Sequence, residues 1–93
     1  MGRRLERAEV TLLTAADCGH CQDAKRVLDR LAGEYPLQVR SVDMATPEGQ
    51  RLVALGGVMF PPGVFLNSKP FSYGRLSERK LRRALDQLEL PVR

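Results

Sequence analysis

The feature that most constrains this chain is its one pair of cysteines, Cys18 and Cys21, separated by Gly19 and His20. The pair falls where one pattern of apolar residues gives way to another. Before it, residues 9–14 are rich in β-branched and apolar side chains, which predicts a strand. After it, apolar residues recur at steps of three and four, which predicts a helix with one buried face. The sequence therefore predicts that a helix begins at the cysteine pair, directly after a strand.

This placement gives the two cysteines different expected roles. Cys18 stands at the helix start, where free N–H groups and a partial positive charge stabilise a thiolate. The thiolate is the species that attacks a disulfide. Cys21 lies on the apolar stripe within one turn of Cys18, so we expect it to be the buried, resolving thiol. Gly19 allows a substrate chain to approach closely, and a positive charge on His20 would favour the thiolate and make the pair more oxidising than proline would.

Other uses of a cysteine pair are less compatible with this sequence. Two cysteines are too few for a secreted disulfide scaffold. A structural zinc site needs four ligands, whereas this chain has two cysteines and one histidine. We therefore expect no metal site within one chain. Two alternatives stay open: a metal ion bound jointly by two copies of the chain, and a cysteine pair that has no chemical role. A non-enzymatic binding module, acting as a redox sensor or metal holder, is the second hypothesis.

The remaining patterns predict one α/β domain over residues 1–93, with residues 1–8 as a flexible arm. A strand–helix–strand opening predicts a parallel pair, and two closing strands predict a hairpin at one edge. The expected order is β-α-β-α-β-β-α, with a four-stranded mixed sheet flanked by helices. After the first helix, the expected elements are a strand at 37–42, a helix from Thr46-Pro47 to Gly56-Gly57, strands at 64–66 and 69–73, and a helix capped by Ser77.

Single residues are expected to set the ends of these elements. Asp17 is a candidate N-cap for the first helix, and Gly33 is expected to end that helix as a C′ glycine. Pro70 cannot donate a ladder hydrogen bond, so its strand should lie at a sheet edge. Tyr73 is expected to pack on this edge strand, with a place in the groove beside the cysteines as the alternative.

Charge and composition narrow the possible partners and location. The net charge is +4, and the arginines that cluster in the last helix are expected to be solvated or to meet an acidic or phosphate-bearing partner. Aromatic residues make up 5% and tryptophan is missing, which makes nucleic-acid binding a poor fit. The sequence has no apolar run of spanning length and no signal-peptide pattern. We expect a cytoplasmic monomer that does not bind membranes.

Three segments together resemble the thioredoxin superfamily, at the size of a small glutaredoxin-like protein. They are the Cys18–Cys21 motif after the first strand, residues 62–66 before the hairpin, and residues 73–77 before the last helix. The resemblance implies a thiol–disulfide oxidoreductase with a thioredoxin fold. It further implies a redox-active disulfide in place of a bound cofactor, an external reductant, and a disulfide-bearing protein or small thiol as substrate. A reductase or glutathione would supply the electrons.

The same resemblance implies a substrate-binding loop at Pro61, Pro62 and Gly63. In that family a cis-proline, here Pro62, faces the redox pair, and the preceding backbone pairs with substrate as an added strand. Pro61 has no N–H, so it offers only its carbonyl. Glutathione-binding marks of glutaredoxins are missing, since no basic residue precedes Cys18 closely and no Gly-Gly-acid follows the hairpin. General disulfide chemistry is the resulting expectation.

Overall fold

The computed structural model describes residues 6–91. Seven elements follow one another in the predicted order β-α-β-α-β-β-α. They are β1 (Ala8–Thr14), α1 (Gly19–Ala32), β2 (Leu37–Asp43), α2 (Pro47–Gly56), β3 (Gly63–Leu66), β4 (Lys69–Tyr73) and α3 (Glu78–Gln87).

The four strands form one mixed sheet in the order β2-β1-β3-β4. β1 pairs in parallel with β2 and antiparallel with β3. β3 pairs antiparallel with β4, which places Pro70 on an edge strand as predicted. Helices pack on both faces, so the predicted thioredoxin-like fold is confirmed.

The register brings three loops to the same end of the sheet. Leu13, near the carboxyl end of β1, pairs with Gly63 at the start of β3. Gly63 also pairs with Tyr73 at the end of β4. The segment that leads into α1, the segment before β3 and the segment after β4 therefore leave the sheet at the carboxyl end of β1.

Each face of the sheet has its own core. The larger core, which we call the α1/α3 core, joins alternate residues of β1 to buried leucines of the two helices: Val10, Leu12, Leu28, Leu31, Leu81 and Leu85. The smaller core, which we call the α2 core, has four buried members: Leu13, Val42, Val58 and Phe65. Adjacent β1 residues point to opposite faces, which is why Leu12 and Leu13 belong to different cores.

Most predicted helix ends and turns are confirmed. Thr46 and Ser77 cap α2 and α3, each accepting a hydrogen bond from a backbone N–H of the first turn. Gly57 ends α2 with φ 59°, a left-handed conformation that suits glycine. Asn67 and Ser68 form the tight turn between β3 and β4, and both have positive φ values.

One boundary prediction is confirmed with a different backbone geometry, and one is wrong. Gly33 ends α1 as predicted, but it does so as a C-cap with φ −77° and ψ −17° and not in the left-handed conformation of a C′ glycine. Ala8, assigned to the flexible arm, belongs to β1 and is fully buried. Its backbone N–H donates to the Pro36 carbonyl at 2.9 Å, a long-range contact that a local pattern does not reveal. Residues 1–5 of the arm lie outside the described residues.

Candidate active site

Cys18 and Cys21 form a disulfide at the N-terminus of α1, with their Cα atoms 5.2 Å apart. Cys18 is the N-cap residue of the helix, with extended backbone angles of φ −109° and ψ 103°. Its Sγ accepts a hydrogen bond from the Cys21 N–H at 3.1 Å. No acidic residue occupies the first turn of α1. The partial positive charge at this end of the helix dipole is therefore not offset by a carboxylate of that turn.

The two cysteines differ in burial in the direction that the helical pattern predicts. Cys21 is 3% exposed, whereas Cys18 is partly exposed and Gly19 and His20 are exposed. A Cβ built on Gly19 would meet nothing within 4 Å, so this glycine leaves open space beside the pair. A second thiol or disulfide thus has access to Cys18 before Cys21.

Asp17 does not cap α1, contrary to the sequence prediction. The cap position belongs to Cys18, whose sulfur accepts the hydrogen bond that was assigned to the carboxylate. Asp17 instead takes a left-handed backbone conformation with φ 55°. Aspartate tolerates this region better than most residues. The sharp turn at Asp17 lets the chain leave β1 and enter α1 at Cys18.

Pro61 and Pro62 lie at the same end of the sheet, and the peptide bond between them is cis. The structure thus confirms the cis-proline that the resemblance implied. Pro62 is fully buried, and its carbonyl accepts from the Gly74 N–H at 2.8 Å. Pro61 is only partly buried, and no hydrogen bond found among residues 6–91 uses its carbonyl. That carbonyl is therefore a backbone acceptor to which a bound polypeptide could donate a hydrogen bond.

Gly63 was expected to contact substrate together with the two prolines, and the structure places it in the interior. It is buried, and a Cβ there would lie 3.1 Å from Val58 Cγ2 and 3.2 Å from Leu13 Cβ. The lack of a side chain therefore allows β3 to begin tightly against the α2 core. A substrate role for Gly63 stays a prediction.

The far part of α1 is tied to α3 by arginine–carboxylate contacts. Arg82 donates to Glu34 at 2.6 and 3.0 Å, and both Arg30 and Arg82 donate to Glu78, at 2.6 and 3.2 Å. The hydrogen bond from Arg82 holds the pKa of Glu34 below its ordinary value. The hydrogen bond from Arg30 does the same for the pKa of Glu78. The Arg30–Glu78 contact joins α1 to α3, the Arg82–Glu34 contact joins α3 to the turn after α1, and the Arg82–Glu78 contact lies within α3.

The sequence interpretation missed two exposed side chains next to this loop. Met59 and Phe60, to which the sequence analysis assigns no role, are 76% and 55% exposed. The Phe60 ring packs edge-on against Tyr73, with ring centroids 5.2 Å apart. The sequence marks the segment between Gly56-Gly57 and Pro61-Pro62 as a loop with two large apolar residues, but it does not show whether a neighbouring segment covers them.

Two further observations concern metal ions and membranes. Among residues 6–91, no group of three or more His, Cys, Asp or Glu side chains is arranged to hold a metal ion. Within the same range, no helix combines the length and apolar character needed to cross a membrane.

The fold and the cysteine pair define a class of protein, a thioredoxin-like fold with a CXXC-type centre. A family model described as Glutaredoxin matches residues 10–71, which is more than half of the chain. The chain belongs to the glutaredoxin family. Family membership and the adjacent cysteines together support a thiol–disulfide redox function in general terms. No curated protein matches the sequence.

Solved structures show the same fold at low sequence identity. A mutant thioredoxin from Halobacterium salinarum NRC-1 is 23% identical, with a TM-score of 0.69 over 95% of this chain and 80% of that one. Oxidised thioredoxin O2 from Arabidopsis thaliana is 22% identical, with a TM-score of 0.66 over 89% and 76%. A malarial protein is 17% identical, with a TM-score of 0.63 over 87% and 96%.

Proposed function

We propose that this protein is a thiol–disulfide oxidoreductase that cycles Cys18 and Cys21 between dithiol and disulfide, acting on protein or small-thiol disulfides. One observation carries the proposal: a partly exposed cysteine at a helix N-cap is bonded to a buried cysteine one turn later. This arrangement supplies an accessible attacking group and a protected resolving group. Membership of the glutaredoxin family supports the same chemistry.

The structure supports a reactive thiolate at Cys18 in the reduced protein. The Cys21 N–H that reaches Cys18 Sγ at 3.1 Å would donate to the thiolate as well. Hydrogen bonding and the helix dipole both favour the charged form. We therefore expect the pKa of Cys18 to lie below the value of about 8.5 for a free cysteine.

Reduction of a substrate then proceeds in two exchanges. The Cys18 thiolate attacks one sulfur of the substrate disulfide, a mixed disulfide forms, and the other substrate sulfur leaves as a thiolate that takes up a proton. Cys21 loses its proton and attacks Cys18 Sγ. The Cys18–Cys21 disulfide forms, and the second substrate thiolate is released. Two electrons pass from the cysteine pair to the substrate, and the reverse sequence oxidises a dithiol.

An external dithiol or thiol completes the cycle by reducing the Cys18–Cys21 disulfide. We propose a reductase or glutathione as the donor, with no bound cofactor and no metal in the redox step. The setting we propose is the cytoplasm, with the protein acting as a monomer and without membrane or nucleic-acid partners. A reducing compartment favours reduction of substrates.

The decisive experiment compares two variants that each replace one sulfur by oxygen. We expect Cys18→Ser to abolish insulin-disulfide reduction, because it removes the attacking thiolate. We expect Cys21→Ser to accumulate the mixed disulfide, because Cys18 remains reactive and nothing resolves its product. Turnover is followed with thioredoxin reductase or with glutathione plus glutathione reductase, which also identifies the donor.

The competing function, a redox sensor or metal holder, has a different signature. Either alternative would give no turnover with either donor, and a metal holder would in addition show stoichiometric zinc in the purified reduced protein. That set of results would overturn the proposed oxidoreductase.

His20 provides a separate test of how the pair is tuned. Its exposed position in the first turn of α1 is one where proline is tolerated. We expect His20→Pro to lower the reduction potential by about 30 mV or more, where about 30 mV is a tenfold change in the exchange equilibrium. Equilibration against glutathione buffers measures it, with His20→Gln as the control for loss of the ring alone. An unchanged or higher potential in His20→Pro would show that His20 does not tune the couple.

A further inference from the structure

We infer that the preferred substrates are protein disulfides with a large apolar side chain beside the reacting cysteine. That side chain would pack on a surface formed by Met59, Phe60 and Tyr73, which we call the apolar rim. The inference rests on the proposed oxidoreductase function and names its substrate class.

The apolar rim is exposed to a degree that is unusual for such large side chains. Met59 is 76% exposed, Phe60 55% and Tyr73 40%. Two of the three are adjacent in the sequence, and the third is in ring contact with one of them. A cluster of exposed apolar side chains on a small protein commonly marks a binding surface.

Phe60 is fixed in place, which distinguishes the rim from a loosely ordered loop. Its ring lies at 88° to that of Tyr73. It also covers the backbone of Gly74 so closely that a Cβ there would lie 2.7 Å from Phe60 Cε2. The Gly74 N–H in turn donates to the Pro62 carbonyl at 2.8 Å. A preformed surface loses little side-chain freedom on binding, which favours affinity.

The rim lies at the end of the sheet that carries the cysteines. Phe60 directly precedes Pro61-Pro62, and Tyr73 pairs with Gly63. Gly63 pairs in turn with Leu13, close to the turn that leads into Cys18. A disulfide that reaches Cys18 therefore brings its flanking polypeptide to this end of the sheet.

A cleft continues the rim on the α2 side of the sheet. It has a volume of about 380 Å³, and its lining includes Gly56, Val58, Phe65, Ser72 and Tyr73. Tyr73 belongs to both the rim and the cleft. The concave lining combines apolar side chains with polar atoms, among them the Ser72 hydroxyl, which is buried without a hydrogen-bond partner among residues 6–91, and it has room for one side chain of a bound polypeptide.

The chemistry of the rim favours a polypeptide over a small hydrophilic thiol. Burial of apolar surface contributes to binding in proportion to the apolar area that both partners remove from water. A short charged disulfide has little such area, whereas a leucine or phenylalanine next to a cysteine has enough to cover an aromatic ring. A second copy of this chain is the other occupant that the test distinguishes.

The test uses two peptide disulfides that differ only in the residue next to the cysteine, leucine or serine. We expect the wild-type protein to prefer the leucine peptide in kcat/KM. In Phe60→Ser this preference should fall about tenfold, mainly through KM, because part of an aromatic contact is lost. Met59→Ser provides a second variant at a more exposed position. The matched control is Val39→Ser, an exposed apolar residue on the opposite edge strand, which should keep the preference.

Each outcome decides a definite point. Equal turnover of the two peptides by the wild-type protein would overturn the rim inference and leave the oxidoreductase intact. Failure to turn over either peptide or hydroxyethyl disulfide would overturn both. Sedimentation that shows a wild-type dimer, dissociated by Phe60→Ser, would assign the rim to a second copy and contradict the inference. A preference that falls in the rim variants and survives in Val39→Ser supports it.

Discussion

The two faces of the sheet are built differently. On one face, α1 and α3 cover the strands, and buried leucines form the α1/α3 core. On the other face, α2 alone covers the sheet, over a core of four buried residues. On the surface of the first face, arginines contact carboxylates: Arg30 contacts Glu78, and Arg82 contacts Glu34. The second face ends in the apolar rim and its cleft.

We propose that the first face mainly stabilises the fold and that the second face, at the apolar rim, contacts substrate. The α1/α3 face removes its apolar side chains from water and leaves charged groups outside, which is what a stable fold requires. On the second face, α2 covers the sheet only as far as Gly56, and Gly57 caps the helix. The segment that follows runs to Pro61 without a helix or strand to cover it. Apolar atoms are therefore left exposed to solvent at the end of the sheet that carries the cysteine pair, where we propose that a substrate polypeptide covers them.

The largest effect should come from a deletion in the α1/α3 core. We expect Leu81→Ala to lower the free energy of unfolding by about 2–5 kcal/mol, because Leu81 is fully buried and the change leaves a cavity. The matched change Leu52→Ala, at a partly buried leucine beside the α2 core, should cost about 1 kcal/mol. Urea unfolding measures both. Equal losses would break the contrast between the two faces.

A smaller effect should follow acidification of the helix–helix contacts. Arginine contacts hold the folded-state pKa of Glu78 and of Glu34 below the unfolded value. Their contribution to stability is present above the unfolded pKa of about 4.3 and is lost as pH falls through the folded-state pKa. Stability should therefore decline below about pH 4.3. Thermal unfolding measured at a series of pH values from about 2 to about 7 would show this decline.

The variants Glu78→Gln and Glu48→Gln compare the two faces in this pH range. Glu78 contacts two arginines, Arg30 of α1 and Arg82 within its own helix α3, whereas Glu48 contacts one, Arg40, at 2.7 Å. The pKa of Glu48 is also lowered by its arginine. We expect Glu78→Gln to flatten the acid dependence more than Glu48→Gln does, and high salt to reduce the difference. The opposite order would contradict this assignment.

The smallest effect on stability should come from the apolar rim. We expect Phe60→Ser to change the free energy of unfolding by no more than about 1 kcal/mol, since an exposed ring contributes little beyond its contact with Tyr73. Urea unfolding measures this change, and the Leu81→Ala variant measured in the same way provides the reference for a large loss of stability. A loss comparable to that of Leu81→Ala would show that Phe60 serves the fold more than a partner.

The sequence predicted the fold well because its signals are local. The period of apolar residues changes at Cys18, and Thr46 and Ser77 cap helices within three residues of their hydrogen-bond donors. Patterns of this kind need no knowledge of distant contacts. The same reasoning assigned the N-cap to Asp17, because aspartate is one of the residues preferred at that position. A sulfur in the cap position is a less common arrangement and was missed.

The candidate site was predicted in part. The cysteine pair and the difference in burial between Cys18 and Cys21 follow from spacing alone. The exposure of Met59 and Phe60 does not, because an apolar residue in a loop is equally compatible with burial against a neighbour. The sequence also did not show that Gly63 packs between Leu13 and Val58, because this contact depends on how β3 meets β1; its expected contact with substrate stays a prediction.

The sequence by itself determined the order of the elements, the place of Cys18 at a helix start and the position of Cys21 on a buried stripe. These follow from hydrophobic period and capping chemistry within single segments. The tertiary structure alone decided which loops share an end of the sheet, because the pairing of Gly63 with Leu13 and Tyr73 joins residues far apart in the chain. It also decided that Phe60 stays uncovered. A side chain is exposed when no other segment of the chain covers it, and a local sequence pattern does not contain that information.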